Sequence, residues 1–179
     1  MRKLLRFLIF SLLVLGLSFN IILAETEKYV DKDLGFSIVP PEGWEVKDGK
    51  PYNLAVIFVG PADEGFMPNF NLNIVAVPSE VTEINEDLLR EIKEELKAAG
   101  EYYGSLEFVS EGEREVSNYK GYEIVYTINL SEDLTLEQKQ VYVLQGGKFY
   151  IFTFTSLEDT FEKYLPLFEE SLSTFEILQ

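Results

Sequence analysis

From residue 36 to residue 77 the apolar positions fall into four short runs broken by proline, glycine and polar residues, a spacing that predicts strands. Phe36-Ser37-Ile38-Val39 stops at Pro40-Pro41, Trp44-Glu45-Val46-Lys47 follows Glu42-Gly43, and Ala55 to Val59 stops at Gly60-Pro61. Phe70-Asn71-Leu72-Asn73-Ile74 alternates apolar with polar and runs on to Val77 before Pro78. Alternation of this kind belongs to a strand with one face on a core.

After Pro78 the period changes. Leu88, Ile92, Leu96, Ala99 and Tyr103 recur at three- and four-residue steps with Glu91, Lys93, Glu94 and Lys97 between them, which predicts an amphipathic helix. Asn85 is its cap, Glu86 and Asp87 suit the positive end of its dipole, and Gly100 lies near its finish. A second group of strands follows. Leu106–Val116 turns at Ser117-Asn118-Tyr119-Lys120-Gly121 into Tyr122–Ile128, then Leu136–Leu144 turns at Gly146-Gly147 into Phe149–Thr155. Two adjacent glycines accept positive φ and mark a tight hairpin. Phe161, Leu165, Phe168, Leu172 and Phe175 close the chain at helical spacing. Pro166 deletes one helical hydrogen bond, so the regular helix is expected to begin near it or to kink there, with residues 158–164 as a separate turn. The order is thus four strands, a helix, four strands and a helix. It predicts an α+β fold: an antiparallel sheet flanked by helices, an α/β/α sandwich.

The first 24 residues stand apart. Arg2, Lys3 and Arg6 precede an apolar stretch from Phe7 to Phe19, and Ala24 precedes the acidic start of the remainder. This predicts a signal peptide or an uncleaved N-terminal anchor over residues 1–24, with one exported domain over 25–179. The domain is placed outside the cytoplasmic membrane: secreted, periplasmic or at the cell surface. There is no cysteine to carry a lipid or form a disulfide.

Of 15 Lys+Arg, three lie in that leader, whereas all 31 Asp+Glu lie beyond it, so the predicted domain is strongly acidic. Such a charge repels phosphate backbones and excludes nucleic acid as a partner. Attraction of Ca²⁺ or of a basic protein is what it admits. With no His and no Cys, thiolate chemistry, imidazole general bases and the common metal-ligand sets are absent.

The stretch Tyr29-x-Asp31-x-x-x-Gly35-Phe36-Ser37-Ile38-x-x-Pro41-x-x-Trp44 resembles the opening of PsbP-like proteins, relatives of an extrinsic photosystem II subunit. Gly60-Pro61 after a strand, Phe70-Asn71-Leu72-Asn73, the Gly121 hairpin, Gly146-Gly147-Lys148 and Ser173-x-Phe175 continue the resemblance to residue 178. The resemblance implies an antiparallel sheet between helices and a non-catalytic extrinsic or assembly role. It also implies a protein or membrane-complex partner. It transfers no histidine metal ligand, because the chain has none.

The remaining chemistry is carboxylate chemistry. Asp31-x-Asp33-x-Gly35 with Glu42 has the length of an EF-hand loop, but Gly35 and Phe36 stand where a ligand and the obligatory glycine belong. Glu111, Glu113 and Glu115 alternate and share one strand face, the arrangement closest to a glycoside-cleaving carboxylate set, with no partner carboxylate assignable opposite them. Phe149, Tyr150, Phe152, Phe154 and Trp44 are read as core, and Asn129-Leu130-Ser131 is a glycosylation sequon. The reading is a non-enzymatic exported binding or assembly domain with no catalytic residue and no cofactor. A Ca²⁺-responsive module and a carboxylate-only hydrolase are its alternatives.

Overall fold

Residues 27–178 are described by the computed structural model, so the segment read as signal or anchor, residues 1–24, lies outside it. No helix among the described residues is long and apolar enough to cross a membrane. Strand β1 (Tyr29–Asp31) turns back on β2 (Phe36–Ile38). The Asp31 carboxylate accepts from the Asp33 and Leu34 backbone N–H groups at 3.0 and 2.9 Å, and Gly35 completes the turn at φ +75°. The stretch that has the length of an EF-hand loop is therefore a hairpin turn at its start, with its first carboxylate occupied by backbone, and strand β2 in its middle.

The other strands are β3 (Glu45–Asp48), β4 (Val56–Val59), β5 (Asn69–Ala76), β6 (Ser105–Val116), β7 (Tyr119–Ser131), β8 (Leu134–Gln145), β9 (Lys148–Leu157) and β10 (Glu176–Ile177). Helix α1 (Glu86–Tyr103) separates β5 from β6, and α2 (Phe161–Ser173) separates β9 from β10. Seven strands form one antiparallel sheet in the order β3-β4-β5-β9-β8-β7-β6, and β1, β2 and β10 form a second, small sheet. The expected α+β fold, an antiparallel sheet flanked by helices, is what the structure shows, with a small second sheet beside the large one. β1 and β10 have three and two residues, too few to show an alternation, and each exists by pairing with β2.

Each helix covers one face of the large sheet, as the two apolar stripes require. Ile92 and Leu96 of α1 pack on Ile124, Tyr126, Ile128, Tyr142, Phe149 and Ile151. Phe161, Tyr164, Phe168 and Leu172 of α2 pack on Phe70, Leu72, Phe152 and Phe154. β9 contributes to both sets, in keeping with a central strand that is apolar on both sides. Phe168 stacks on Phe154 at 5.4 Å and meets Phe70 edge-on at 4.9 Å. Such ring pairs add about 0.5–1.5 kcal/mol each beyond area burial.

Asn85 caps α1 as expected, its side chain accepting from the Leu88 N–H at 3.0 Å. The helix ends at Gly104 instead of Gly100. A Cβ on Gly100 would lie 2.4 Å from Leu106 Cβ, so this glycine serves the close approach of β6. Gly121 sits within β7, not in the turn, where a Cβ would lie 2.8 Å from the Tyr142 carbonyl. Pro166 does not start α2. The helix begins at Phe161 after a 3-10 turn over Glu158–Thr160 and carries the proline inside it. Packing of Phe161 and Tyr164 into the core offsets the lost hydrogen bond.

A closed group of four charges fastens α2 to the sheet. Arg114 reaches Glu123 Oε2 at 2.8 Å and both carboxylate oxygens of Glu169 at 3.2 and 2.8 Å. Lys139 Nζ meets Glu123 at 2.9 Å and Glu169 at 2.7 Å. Burial alone would raise the Glu169 pKa, but hydrogen bonds from Arg114 and Lys139 outweigh it and hold the group below the ordinary carboxylate value.

Candidate functional site

β6 is the last strand of the large sheet, and no described strand pairs with its outer side. It is 12 residues long, and from Ser105 to Glu115 only Leu106, Gly112 and Arg114 are not exposed. Its register with β7 slips once between Phe108 and Ser110, leaving Val109 as a bulge. The slip decides which side chains share a face. Leu106 and Phe108 lie on the α1 side before it, and Glu111, Glu113 and Glu115 lie on that same side after it. The sequence expectation that the three carboxylates share a face therefore holds, and Arg114 is turned to the opposite face, into the Glu123–Lys139–Glu169 group.

The three carboxylates have different surroundings. Glu111 accepts from Lys93 Nζ of α1 at 2.8 Å. Glu113 lines an open groove of about 410 Å³ together with Glu83, Glu86, Leu89 and Tyr122. Glu115 is exposed opposite Lys120 of β7. The structure corrects one point of the sequence reading here. It brings Glu83 and Glu86 to the same groove as Glu113, because the polar segment before α1 folds back against β6 and β7. Glu83 lies in the irregular segment before α1 and Glu86 is the first residue of the helix, so no spacing points either of them at β6. Burial raises the Tyr122 pKa, and Glu111 and Glu113 raise it further against the opposing Lys93. Among the described residues no group of three or more Asp, Glu, His or Cys could hold a metal ion.

At the other end of β6 the surface is aromatic. Tyr102 and Tyr103, the last residues of α1, touch edge to face at 5.0 Å, and Tyr102 is 82% exposed. Phe108 and the bulged Val109 of β6 are exposed as well, Val109 at 59%. These residues carry no signal of exposure in the sequence: Tyr102 and Tyr103 end the α1 period, and Phe108 and Val109 look like ordinary strand residues.

The aromatics read as core are core. Phe149, Tyr150, Phe152 and Phe154 are buried, and Trp44 lies 6.2 Å from Tyr164 and 6.4 Å from Phe154. Asn129 of the sequon is half-buried in β7. Its amide donates to Ser105 Oγ at 3.2 Å and its carbonyl accepts from Thr135 Oγ1 at 2.7 Å, so both ends of the side chain are engaged within the sheet.

The solution structure of cyanobacterial PsbP (CyanoP) from Synechocystis sp. PCC 6803 superposes with a TM-score of 0.67 at 20% identity, covering 91% of this chain and 98% of that one. The Ran-binding protein Mog1p of Saccharomyces cerevisiae gives 0.57 at 9% identity over 87% of this chain and 96% of its own. LpqN of Mycobacterium tuberculosis, involved in cell envelope biogenesis, gives 0.57 at 10% identity over 80% and 83%. At these identities the likenesses speak for the fold alone. No curated protein matches the sequence. The family model for PsbP matches residues 24–177, nearly the whole chain, and the protein belongs to the PsbP family.

Proposed function

We propose that this protein is an exported, non-catalytic binding or assembly domain that docks on a protein partner through the face formed by β6 and α1. The observation that carries the reading is the contrast between that face and the rest of the chain's aromatic content. Most large rings are spent on two buried layers, whereas Phe108 and Val109 stay in water on the strand that carries the row of carboxylates, and Tyr102 stays in water at the end of the helix before it. Exposed aromatic anchors ringed by charge mark partner surfaces. The relatives of this fold include a protein described as Ran-binding and one involved in envelope biogenesis, which supports a binding role without naming the partner. A photo-crosslinking residue placed in turn at Tyr102, Val109, Tyr52 and Val30 in cells tests the reading. Adducts confined to Tyr102 and Val109 support it, and an even distribution or none refutes it.

One observation favours a second reading. Glu83, Glu86 and Glu113 around one groove supply the opposing carboxylates that a hydrolase relying on them would need. Loss of glycan cleavage in Glu113→Gln would establish it; absence of cleavage by the unaltered protein rejects it. A Ca²⁺ response is tested separately by calorimetry at millimolar ion.

A further inference from the structure

We propose that the outer edge of β6 takes up an extended basic segment of the protein partner as an eighth strand of the sheet. The proposal rests on the partner-binding reading and specifies how the partner is held. An edge strand offers a row of unpaired N–H and C=O groups, and addition of a strand is the direct way to satisfy them. β6 offers this over an unusual length, and from Ser110 to Val116 its register with β7 is unbroken, so its outward groups alternate regularly.

The charges select the occupant. Glu107, Glu111, Glu113 and Glu115 lie along the strand, and its single cation, Arg114, is engaged on the opposite face with Glu123 and Glu169. A second copy adding to this edge would set carboxylates against carboxylates, and like charges directly opposite one another are destabilising. A segment with lysine or arginine at every second position instead meets Glu113 and Glu115, which stand two residues apart on one face. Glu111 contributes less, because Lys93 already holds it. The Val109 bulge ends the regular pairing, and there the exposed Phe108 and Val109 offer an apolar seat for a large side chain at the end of the added strand. The occupant is therefore an extended peptide of alternating basic residues that ends in an aromatic or branched apolar residue.

The test uses the purified full chain and a seven-residue probe alternating lysine and valine and ending in phenylalanine. Its controls are the same peptide with glutamate for lysine and the same peptide with a central proline. Binding is read by fluorescence anisotropy and by amide hydrogen exchange. The lysine probe is expected to bind, to slow exchange at outward-facing β6 amides, and to bind at least tenfold more weakly to Glu113→Lys/Glu115→Lys. The glutamate and proline peptides are expected to lose at least tenfold. Because the two substituted side chains are exposed, an unchanged melting temperature shows that this variant is folded. Equal binding of the proline peptide would show attraction without strand addition and overturn the proposal, as would no binding at millimolar probe. Concentration-dependent dimers abolished by Ser110→Pro would assign the edge to a second copy and also overturn it. If these fail while crosslinks still map to Tyr102 and Val109, strand addition falls and the partner-binding reading stands.

Discussion

Replacing Lys139 by methionine tests whether the four-charge group is a working clamp between α2 and the sheet. Lys139 has only 10% of its side chain exposed and sits 2.9 Å from Glu123 and 2.7 Å from Glu169. At an effective dielectric of about 20, each contact is worth ~6 kcal/mol of gross attraction, most of it cancelled by the cost of dehydrating the three ions. Breaking a fully buried pair costs about 3–5 kcal/mol. Here the two carboxylates remain 26% and 32% exposed and keep Arg114, which lowers the expected loss. We expect Lys139→Met to cost about 2 kcal/mol, or roughly 4–8 °C in melting temperature for a domain of this size. In a double-mutant cycle with Glu169→Gln, read by urea unfolding, the second change should cost less once Lys139 is gone, because it then removes a surplus carboxylate. A coupling of about 1–2 kcal/mol is expected, and additivity within about 0.5 kcal/mol would refute the clamp. The pH dependence has a fixed sign. The folded-state pKa of Glu169 lies below its unfolded value, so its contribution is complete above about pH 4.3 and disappears as pH falls through the folded pKa. Lys139→Met should flatten that acid limb.

Gly104→Ala would put a Cβ 1.8 Å from the Asn129 carbonyl oxygen, and a loss of about 3 kcal/mol or more is expected in chemical denaturation. Gly147 stands at φ +71°, so Gly147→Val should cost about 1–2 kcal/mol from local strain alone, since its surroundings are open. Burial, then the neighbouring Glu158 and Glu162, raises the Glu137 pKa, so the folded state favours its protonated form and loses stability as pH rises through the folded pKa. Glu137→Gln should therefore raise the melting temperature at pH 7 and leave it unchanged at pH 4.

The parts of the fold legible in the sequence are those with a local cause. The α1 stripe and its Asn85 cap, the paired glycines 146 and 147, and the doubly apolar β9 each specify themselves within a few residues. β1 and β10 do not: they are strands only because β2 lies between them, a fact created by folding. Pro166 misled for a related reason, since a local penalty was weighed without the core contacts of Phe161 and Tyr164 that override it. The same limit governs the site. The shared face of Glu111, Glu113 and Glu115 follows from alternation, whereas Glu83 reaches the groove from an irregular segment and Glu86 from the first turn of α1, and the value of Tyr102 and Val109 depends on which strand ends the sheet.

Phe175, followed at once by β10, sets a condition on when this molecule can fold. Its ring is fully buried and touches Phe36, Tyr119, Tyr150 and Phe152, at 4.8 Å for the nearest. The aromatic layer beneath α2 thus stays open until residues 175–177 have left the ribosome and met a hairpin made more than a hundred residues earlier. Truncation before Phe175 would therefore leave Phe36 and Phe152 facing water, however complete the large sheet had become.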